Sequence, residues 1–391
     1  MKKKSISIFG ATGSVGSSTL NLLRQRKDEF DVVAMTCNSN IDLLLELSKE
    51  FNPKAIAVAD ENLYLDLKKR VDKNIECFAG SEGLREIACY SSDIVIASIV
   101  GLAGLESLLD SVKNTSVIAI ANKECIVAAG PLVVSQAKKH NCQIIPIDSE
   151  HNAIFQILDG KSIKDVEKIY LTASGGPFYK FSHSQLKKVT PAQAVKHPVW
   201  SMGKKISVDS ATLMNKGLEI IEAHHLFGLD NNRIEVIVHR QSIIHGLALM
   251  KNGALLGYFG KPSMLNPIDH ALAWPLCKDN NIDPITIEDL NNLTVESVSD
   301  DDYRSLFLSR FAIEKGGFYP VYLSASNEIA VNAFLKNKIM FLDIVRVVEK
   351  VIDEIGHSGN KSLETMASLQ EIIMADGEAR IKASEIIKLG F

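Results

Sequence analysis

Ser5-Ile-Ser-Ile-Phe9 runs directly into Gly10-Ala-Thr-Gly13-Ser-Val-Gly16, and a helix-like segment, Leu20–Arg26, follows. Glycines in that context, after a strand and opening a helix, permit a tight turn. They also let backbone N–H groups approach a pyrophosphate at the positive end of the helix. The spacing is G-x-x-G-x-x-G rather than G-x-G-x-x-G, so the loop in isolation leaves a plain strand–turn–helix open. Its position and flanks favour a dinucleotide site, with Gly10, Thr12, Gly13, Ser14 and Val15 as the contacts.

Outward from the loop, short apolar runs alternate with amphipathic stretches up to about residue 148. The runs are Ser5–Phe9, Asp31–Thr36, Ala55–Ala59, Ile94–Ser98, Ser116–Ile120 and Gln143–Ile147. Ile41–Glu50 and Leu132–His140 are among the helix-like segments between them. Strands apolar on both faces and separated by helices describe a parallel sheet covered on both sides. The expected fold class is therefore α/β, with a Rossmann-like N-terminal domain over 1–148. Residues 149–275 mix turn-rich stretches with strand-like runs such as Ile234–His239 and Leu255–Phe259, which suggests an α+β catalytic domain. Residues 276–300 read as a polar linker, and 301–391 as a helical domain. Its stripes are Phe341, Ile344, Val345, Val348, Val351, Ile352 and Ile355, then Leu363, Met366, Leu369, Ile372 and Ile373, with Gly390 as a cap.

The chain has 391 residues and a formal net charge of −4, so no whole-molecule field draws nucleic acid or anionic lipid. A phosphorylated ligand has to be bound by a local site. The six cysteines form no C-x-x-C pair and no zinc-finger spacing, as expected of reduced thiols. Met1-Lys-Lys-Lys4 resembles the start of a signal peptide, but Ser5 and Ser7 interrupt the apolar run behind it. No apolar stretch reaches the ~18 residues of a spanning helix. The expectation is a cytoplasmic enzyme that binds neither nucleic acid nor membrane.

Two positions refine the chemistry. An NAD-preferring site places an acid about 20 residues past the loop. Here the second strand ends in Thr36-Cys-Asn-Ser-Asn40, with no acid before Asp42. That favours NADPH, with Asn38, Ser39 and Asn40 beside the 2′-phosphate. Asp148-Ser149-Glu150 follows an apolar run at the carboxyl edge of the parallel sheet, where ligands collect. Continued as a strand, the run points both carboxylates the same way. Two such groups repel unless a cation or proton intervenes, and all-oxygen ligation suits Mg²⁺ or Mn²⁺. The pair alone leaves a metal site and plain solvation both open.

Further segments occur in a fixed order: Ala121-Asn-Lys-Glu124, Asp148-Ser-Glu-His-Asn-Ala-Ile-Phe155, Ser174-Gly-Gly-Pro-Phe178 and His197-Pro-Val-Trp-Ser-Met-Gly203. They continue with Ser207-Val-Asp-Ser-Ala-Thr-Leu-Met-Asn-Lys-Gly-Leu-Glu219, His270-Ala-Leu-Ala-Trp-Pro275 and Ala325-Ser-Asn-Glu-Ile-Ala-Val331. With the glycine loop, this series closely resembles the 1-deoxy-D-xylulose 5-phosphate reductoisomerases of the methylerythritol phosphate route to isoprenoids. The resemblance covers nearly the whole chain.

The resemblance implies a metal, Mn²⁺ or Mg²⁺ with Co²⁺ as a further choice, held by Asp148, Glu150 and Glu219. Glu222, one turn on from Glu219, is a rival by spacing alone. The substrate phosphate falls to Ser174, Ser210, Asn215 and Lys216, with Ser149 also on the substrate. Lys123 and His151 join Glu150 and His197 as catalytic or supporting groups. His197, Trp200 and Met202 match a flap over about 194–205 that closes on substrate. Asn122, Glu124, Gly203 and Met264 match cofactor positions. The implied reaction is a rearrangement, by retro-aldol/aldol cleavage or an α-ketol shift, followed by hydride transfer from NADPH. A homodimer is also implied.

The chain departs from the family pattern at Ser263 and Leu265, where an acid and a base are usual, and at Arg240, where proline is common. Ser39 replaces a basic residue that many members carry, so NADPH preference rests on uncharged donors and discrimination against NADH is expected to be weaker. Two rivals share a glycine loop of this kind. A semialdehyde or homoserine dehydrogenase is one; the semialdehyde enzyme needs a catalytic cysteine, for which Cys125 is the candidate near the site motifs. A non-catalytic dinucleotide sensor is the other, and it predicts a decayed second site.

Overall fold

The structure, a computed structural model, describes residues 3–200, 202–278, 282–299, 303–356 and 367–390. The chain divides into two compact units. The first comprises residues 1–125, 133–152 and 263–282; the second comprises 126–132, 153–262 and 283–391.

The first unit holds β1 (Lys4–Phe9), α1 (Ser14–Gln25), β2 (Phe30–Cys37), α2 (Ile41–Phe51), β3 (Ala55–Val58), α3 (Tyr64–Arg70) and β4 (Glu76–Ala79). It continues through α4 (Gly80–Ala88), β5 (Ser92–Ala97), α5 (Leu105–Ser111), β6 (Thr115–Ile120), the two ends of α6 (Lys123–Lys139), β7 (Gln143–Pro146) and the start of α7 (Ser149–Ile157). The strands form one sheet in the order β4-β3-β2-β1-β5-β6-β7, and every pairing is parallel. The predicted α/β class is what forms. Ile6, Ile8, Ala34, Met35, Ile56, Ile96 and Ile118 are buried at the centre of the sheet, which is why these strands read as continuous apolar runs. β4 gave no such signal: its four residues are exposed or half-buried at the sheet edge. The strand order reverses between β1 and β5, and such switch points are where crevices for ligands open.

The second unit contains β8 (Val166–Ala173), short helices α8 (His183–Leu186) and α9 (Pro191–Ala194), α10 (Lys204–Ala211) and α11 (Met214–Phe227). β9 (Ile234–Val238), β10 (Ile244–Met250) and β11 (Leu255–Phe259) follow. Next in the chain comes α12 (Leu265–Ala273), which belongs to the first unit. β12 (Glu296–Ser297), α13 (Arg304–Lys315), α14 (Tyr319–Leu335), α15 (Asp343–Gly356) and α16 (Leu369–Leu389) complete the second. Its sheet runs β11-β10-β8-β9-β12, with β8 and β9 parallel and the rest antiparallel.

Helix α11 is the pivot of this unit. Leu213, Ile220 and Ala223 pack into the core over the sheet, while Met214, Leu218 and Ile221 share a second core with Leu308, Leu323, Val348 and Ile352. A helix covered on two sides holds its side chains rigidly, and its polar residues must find partners inside the protein. The stripe in α15 is buried as the periodicity indicates, with Ile344, Val348, Val351, Ile352 and Ile355 all inward. In α16, Ile372 is buried and Ile373 exposed, and Gly390 sits at the C-cap with φ +81°. Leu363 and Met366 lie outside the described residues.

Candidate active site

The glycine loop joins β1 to α1 at the switch point. Gly10 has φ +91°, and a Cβ there would lie 2.9 Å from the carbonyl oxygen of Ser98, at the end of β5. A Cβ on Gly16 would lie 2.4 Å from the Gly10 carbonyl oxygen and 2.7 Å from Ala11 Cα. Both positions need glycine for the helix to start this close to the strand. Gly13 occupies the N-cap without a side-chain cap, and the first turn of α1 carries no acid. The leading N–H groups of α1 are thus left for an anion. Thr12 and Val15 are half-buried around this opening, and Gly13 and Ser14 are exposed. At the end of β2, Asn38, Ser39 and Asn40 are exposed, and Asn40 caps α2 by accepting from Leu43 N–H at 3.2 Å. Asp42, the first acid beyond that strand, is paired with Arg70 at 2.5 Å.

Asn122 closes the same sheet edge. Its Oδ1 caps α6 by accepting from Cys125 N–H at 3.1 Å, and its Nδ2 donates to the carbonyls of Ile99 and Gly101. Lys123 and Glu124 form the first turn of α6. Lys123, almost wholly buried, directs its ammonium to Asp148 Oδ2 at 2.5 Å. The Asp148–Glu150 segment corrects the strand-continuation argument. β7 ends at Pro146, and Glu150 lies in the first turn of α7 rather than two residues along a strand. Asp148 stands where an N-cap would, its carbonyl accepting from Asn152 N–H at 2.8 Å. The helix turn, rather than strand period, therefore presents this group. Ser149 Oγ donates to Glu150 Oε2 at 2.6 Å, and His151 is fully buried with Nδ1 at 3.9 Å from Asp148. Met264 occupies the N-cap position of α12.

In the second unit the loop after β8 carries Ser174. Gly176 has φ +63°, and a Cβ there would meet the Ser210 carbonyl oxygen at 2.8 Å, so only glycine lets this loop lie against α10. That contact brings the Ser174 loop against the backbone of Ser210. His197 Nδ1 accepts from the N–H groups of Val199 at 3.2 Å and Trp200 at 2.9 Å, which leaves Nε2 to carry the proton and donate to Ser174 Oγ at 2.8 Å. Burial, and secondarily the charge of Arg240, hold the His197 pKa below the usual imidazole range, so the ring is neutral. Trp200 sets its ring edge-on to His245, with centroids 6.3 Å apart. Met202 is half-buried, Gly203 is the N-cap of α10, and Ser201 lies outside the described residues.

On α11, Asn215, Lys216 and Glu219 form one polar turn inside the two cores. Asn215 Nδ2 donates to Glu219 Oε1 at 2.5 Å and the Lys216 ammonium to Oε2. Lys216 and Glu219 are buried, as is Glu222 one turn on. The carboxylate and its neighbouring cation survive this burial because each answers the other.

Three family profiles match the chain. One described as 1-deoxy-D-xylulose 5-phosphate reductoisomerase covers residues 6–130, its C-terminal domain covers 144–227, and the DXP reductoisomerase C-terminal domain covers 259–382. Curated relatives named 1-deoxy-D-xylulose 5-phosphate reductoisomerase are 40% identical over 98% of both chains in Zymomonas mobilis and 44% identical over 98% of both in Wolbachia pipientis. The chain belongs to the 1-deoxy-D-xylulose 5-phosphate reductoisomerase family. Among solved structures, the Zymomonas mobilis reductoisomerase in complex with NADPH superposes with a TM-score of 0.91 at 39% identity, covering 99% of this chain and 100% of that one. A DOX-P reductoisomerase in complex with NADPH, fosmidomycin and magnesium gives 0.94 at 39% identity, covering 99% and 98%.

Membership settles the rivals, and the cysteine agrees with it. Cys125 is fully buried and burial pushes its thiol well above the ordinary range, the opposite of what an attacking thiolate needs. The departures from the reductoisomerase pattern have local roles here. Ser263 Oγ accepts from Leu265 N–H at 3.2 Å, so the turn before α12 is held by a hydroxyl. Arg240 lies over the Tyr179 ring at 5.5 Å, and that ring packs against Gly175 beside Ser174. Two residues of this site escaped the sequence reading. Nothing local in the sequence marks the contact that requires glycine at 176, and Asn152 is signalled by its place four residues after Asp148, the spacing of a helical turn.

Among the described residues, no helix is long and apolar enough to cross a membrane.

Proposed function

We propose that this chain rearranges and reduces 1-deoxy-D-xylulose 5-phosphate to 2-C-methyl-D-erythritol 4-phosphate, with Asp148, Glu150 and Glu219 holding a divalent metal and the Gly10–Gly16 loop holding NADPH. It is an NADPH- and metal-dependent oxidoreductase of isoprenoid biosynthesis. The observation that carries the site assignment is the polar turn of α11, where Glu219 lies buried between Asn215 and the Lys216 ammonium. Metal ligand and phosphate donors then share one rigid helical turn.

The residues fit both groups. A lysine ammonium already sits on Asp148 in one unit and on Glu219 in the other, as expected of carboxylates arranged to receive positive charge. Hard oxygen donors of this kind suit Mg²⁺ or Mn²⁺. The uncapped start of α1, reached only because Gly10 and Gly16 lack side chains, suits a pyrophosphate. With Asp42 paired to Arg70, little repels a 2′-phosphate near Asn38, Ser39 and Asn40. When bound, the metal supplies Lewis acidity at the substrate oxygens and NADPH supplies hydride.

The chain's own groups do the rest. Ser174, Ser210, Asn215 and Lys216 receive the phosphate, with Ser149 on the substrate. Lys123 balances the charge on Asp148, and His151 supports the same turn. His197, held as the neutral Nε2–H form, is set to donate from the flap, and Trp200 helps to exclude water. Asn122, Glu124, Gly203 and Met264 line the cofactor's nicotinamide end. Residues 1–148, 149–275 and 301–391 are assigned to the cofactor, catalytic and helical domains, with 276–300 joining them. Homodimerisation is supported by β11, an edge strand exposing Leu255 and Phe259, because such edges are normally covered. The enzyme is assigned to the cytoplasm.

The decisive assay follows NADPH oxidation with 1-deoxy-D-xylulose 5-phosphate. It stops on addition of EDTA and resumes with Mn²⁺ or Mg²⁺; activity indifferent to chelation sinks the metal assignment. Lys216→Ala raises the substrate KM by about 10- to 100-fold, the worth of one charge-assisted hydrogen bond. An unchanged KM in steady-state kinetics removes Lys216 from the phosphate site.

A further inference from the structure

We propose that His270 is a positioning residue for the Asp148–Glu150 turn, acting through Asn152. Asn152 is buried, and its Nδ2 donates to the Pro146 carbonyl at 2.8 Å while lying 3.1 Å from His270 Nδ1. With an amide N–H on that side, His270 Nδ1 is the acceptor and the ring's proton is on Nε2. The backbone N–H of Asn152 meanwhile holds the Asp148 carbonyl. One residue, by side chain and backbone together, therefore ties the end of β7 and the turn after it to α12.

Helix α12 is itself fixed. Asp269 pairs with Arg26 at 2.6 Å, with both side chains largely buried, and Arg26 is the C-cap of α1. The Lys4 ammonium donates to the carbonyls at the far end of α12, those of Trp274 at 2.8 Å and Leu272 at 3.3 Å. The His270 ring rests edge-on against Trp274, centroids 5.7 Å apart. The helix that begins at Met264 is thus anchored to the end of the glycine-loop helix and reaches the acidic turn through His270. Groups behind a ligand set its orientation, and their loss typically lowers metal affinity about 10- to 100-fold.

The inference rests on the reading of Asp148 and Glu150 as metal ligands, and the test separates the two. Mn²⁺ binding to the full chain is titrated by electron paramagnetic resonance of the free ion, and NADPH binding by fluorescence. Asp148→Asn loses Mn²⁺ if the ligand reading holds; normal binding by that variant overturns the reading and the inference with it. His270→Leu weakens Mn²⁺ binding about tenfold or more, and His270→Asn, whose Oδ1 replaces Nδ1, restores it, with NADPH affinity unchanged in both. Asn152→Ala removes the link from its other side and gives the same loss, so failure of one variant to fold leaves the other to decide. Wild-type Mn²⁺ affinity in His270→Leu, alongside a loss in Asp148→Asn, overturns the inference. Equal loss of Mn²⁺ and NADPH in the folded His270→Leu protein also overturns it, because that marks general packing rather than positioning.

Discussion

Glu219→Gln lowers turnover by about a thousandfold or more and leaves NADPH affinity unchanged. The substitution keeps shape and volume, so the two cores that clamp α11 on either side are not disturbed. What changes is charge. The buried Lys216 ammonium loses the anion that answers it, and Asn215 Nδ2 faces an amide in place of a carboxylate. A neutral amide is also a poor ligand for a hard divalent cation. Lewis-acid stabilisation worth several kcal/mol is forfeited, and about 4 kcal/mol corresponds to a thousandfold in rate. NADPH affinity is spared because the glycine loop belongs to the other compact unit. Pre-steady-state NADPH oxidation, together with cofactor titration by fluorescence, measures both halves. Turnover near wild type transfers the ligand role to Glu222, the buried acid one turn further along the same helix.

The seven-stranded unit is legible because its central strands are buried on both faces. Ile6, Ile8, Ile56, Ile96 and Ile118 leave no polar alternation to confuse a parallel strand with a surface one. β4 hid for the opposite reason: Glu76-Cys-Phe-Ala79 is a half-covered edge strand with too little burial to write an apolar pattern. The acidic turn is visible in the sequence, but its backbone conformation is not. Asp148-Ser149-Glu150 follows the apolar run Ile144–Ile147, so it reads as more strand, although Pro146 already interrupts that run. The available signals are Pro146, which ends the strand, and Asp148, an N-cap residue with acid in the turn that follows. The motifs quote Ser174 and Ser210, but not what brings their backbones together. The approach of Gly176 to Ser210, and the link from Asn152 to His270 across 118 residues of sequence, depend on packing that no local window contains.

Gly16→Val abolishes most NADPH binding and lowers thermal stability, whereas Gly13→Ala weakens NADPH binding with little change in melting temperature. The contrast comes from what each side chain would meet. A Cβ at Gly16 lies 2.4 Å from the Gly10 carbonyl oxygen and 2.7 Å from both Cα and the carbonyl oxygen of Ala11. Those are backbone atoms of the loop itself and cannot rotate away, so α1 must move off the strand end. Overpacking of this kind costs about 1–3 kcal/mol, and the same displacement withdraws the leading N–H groups from the pyrophosphate. Losing two such charge-assisted bonds corresponds to at least about a hundredfold fall in affinity. Gly13 is exposed with φ −83°, and its Cβ would approach only the Gly10 carbonyl oxygen, at 3.3 Å. Alanine there leaves the fold alone and intrudes only on a ligand lying across the helix start. Calorimetry and fluorescence titration on the two variants separate a loop that merely turns the chain from one that holds a dinucleotide. Wild-type NADPH affinity in a folded Gly16→Val protein places the cofactor elsewhere.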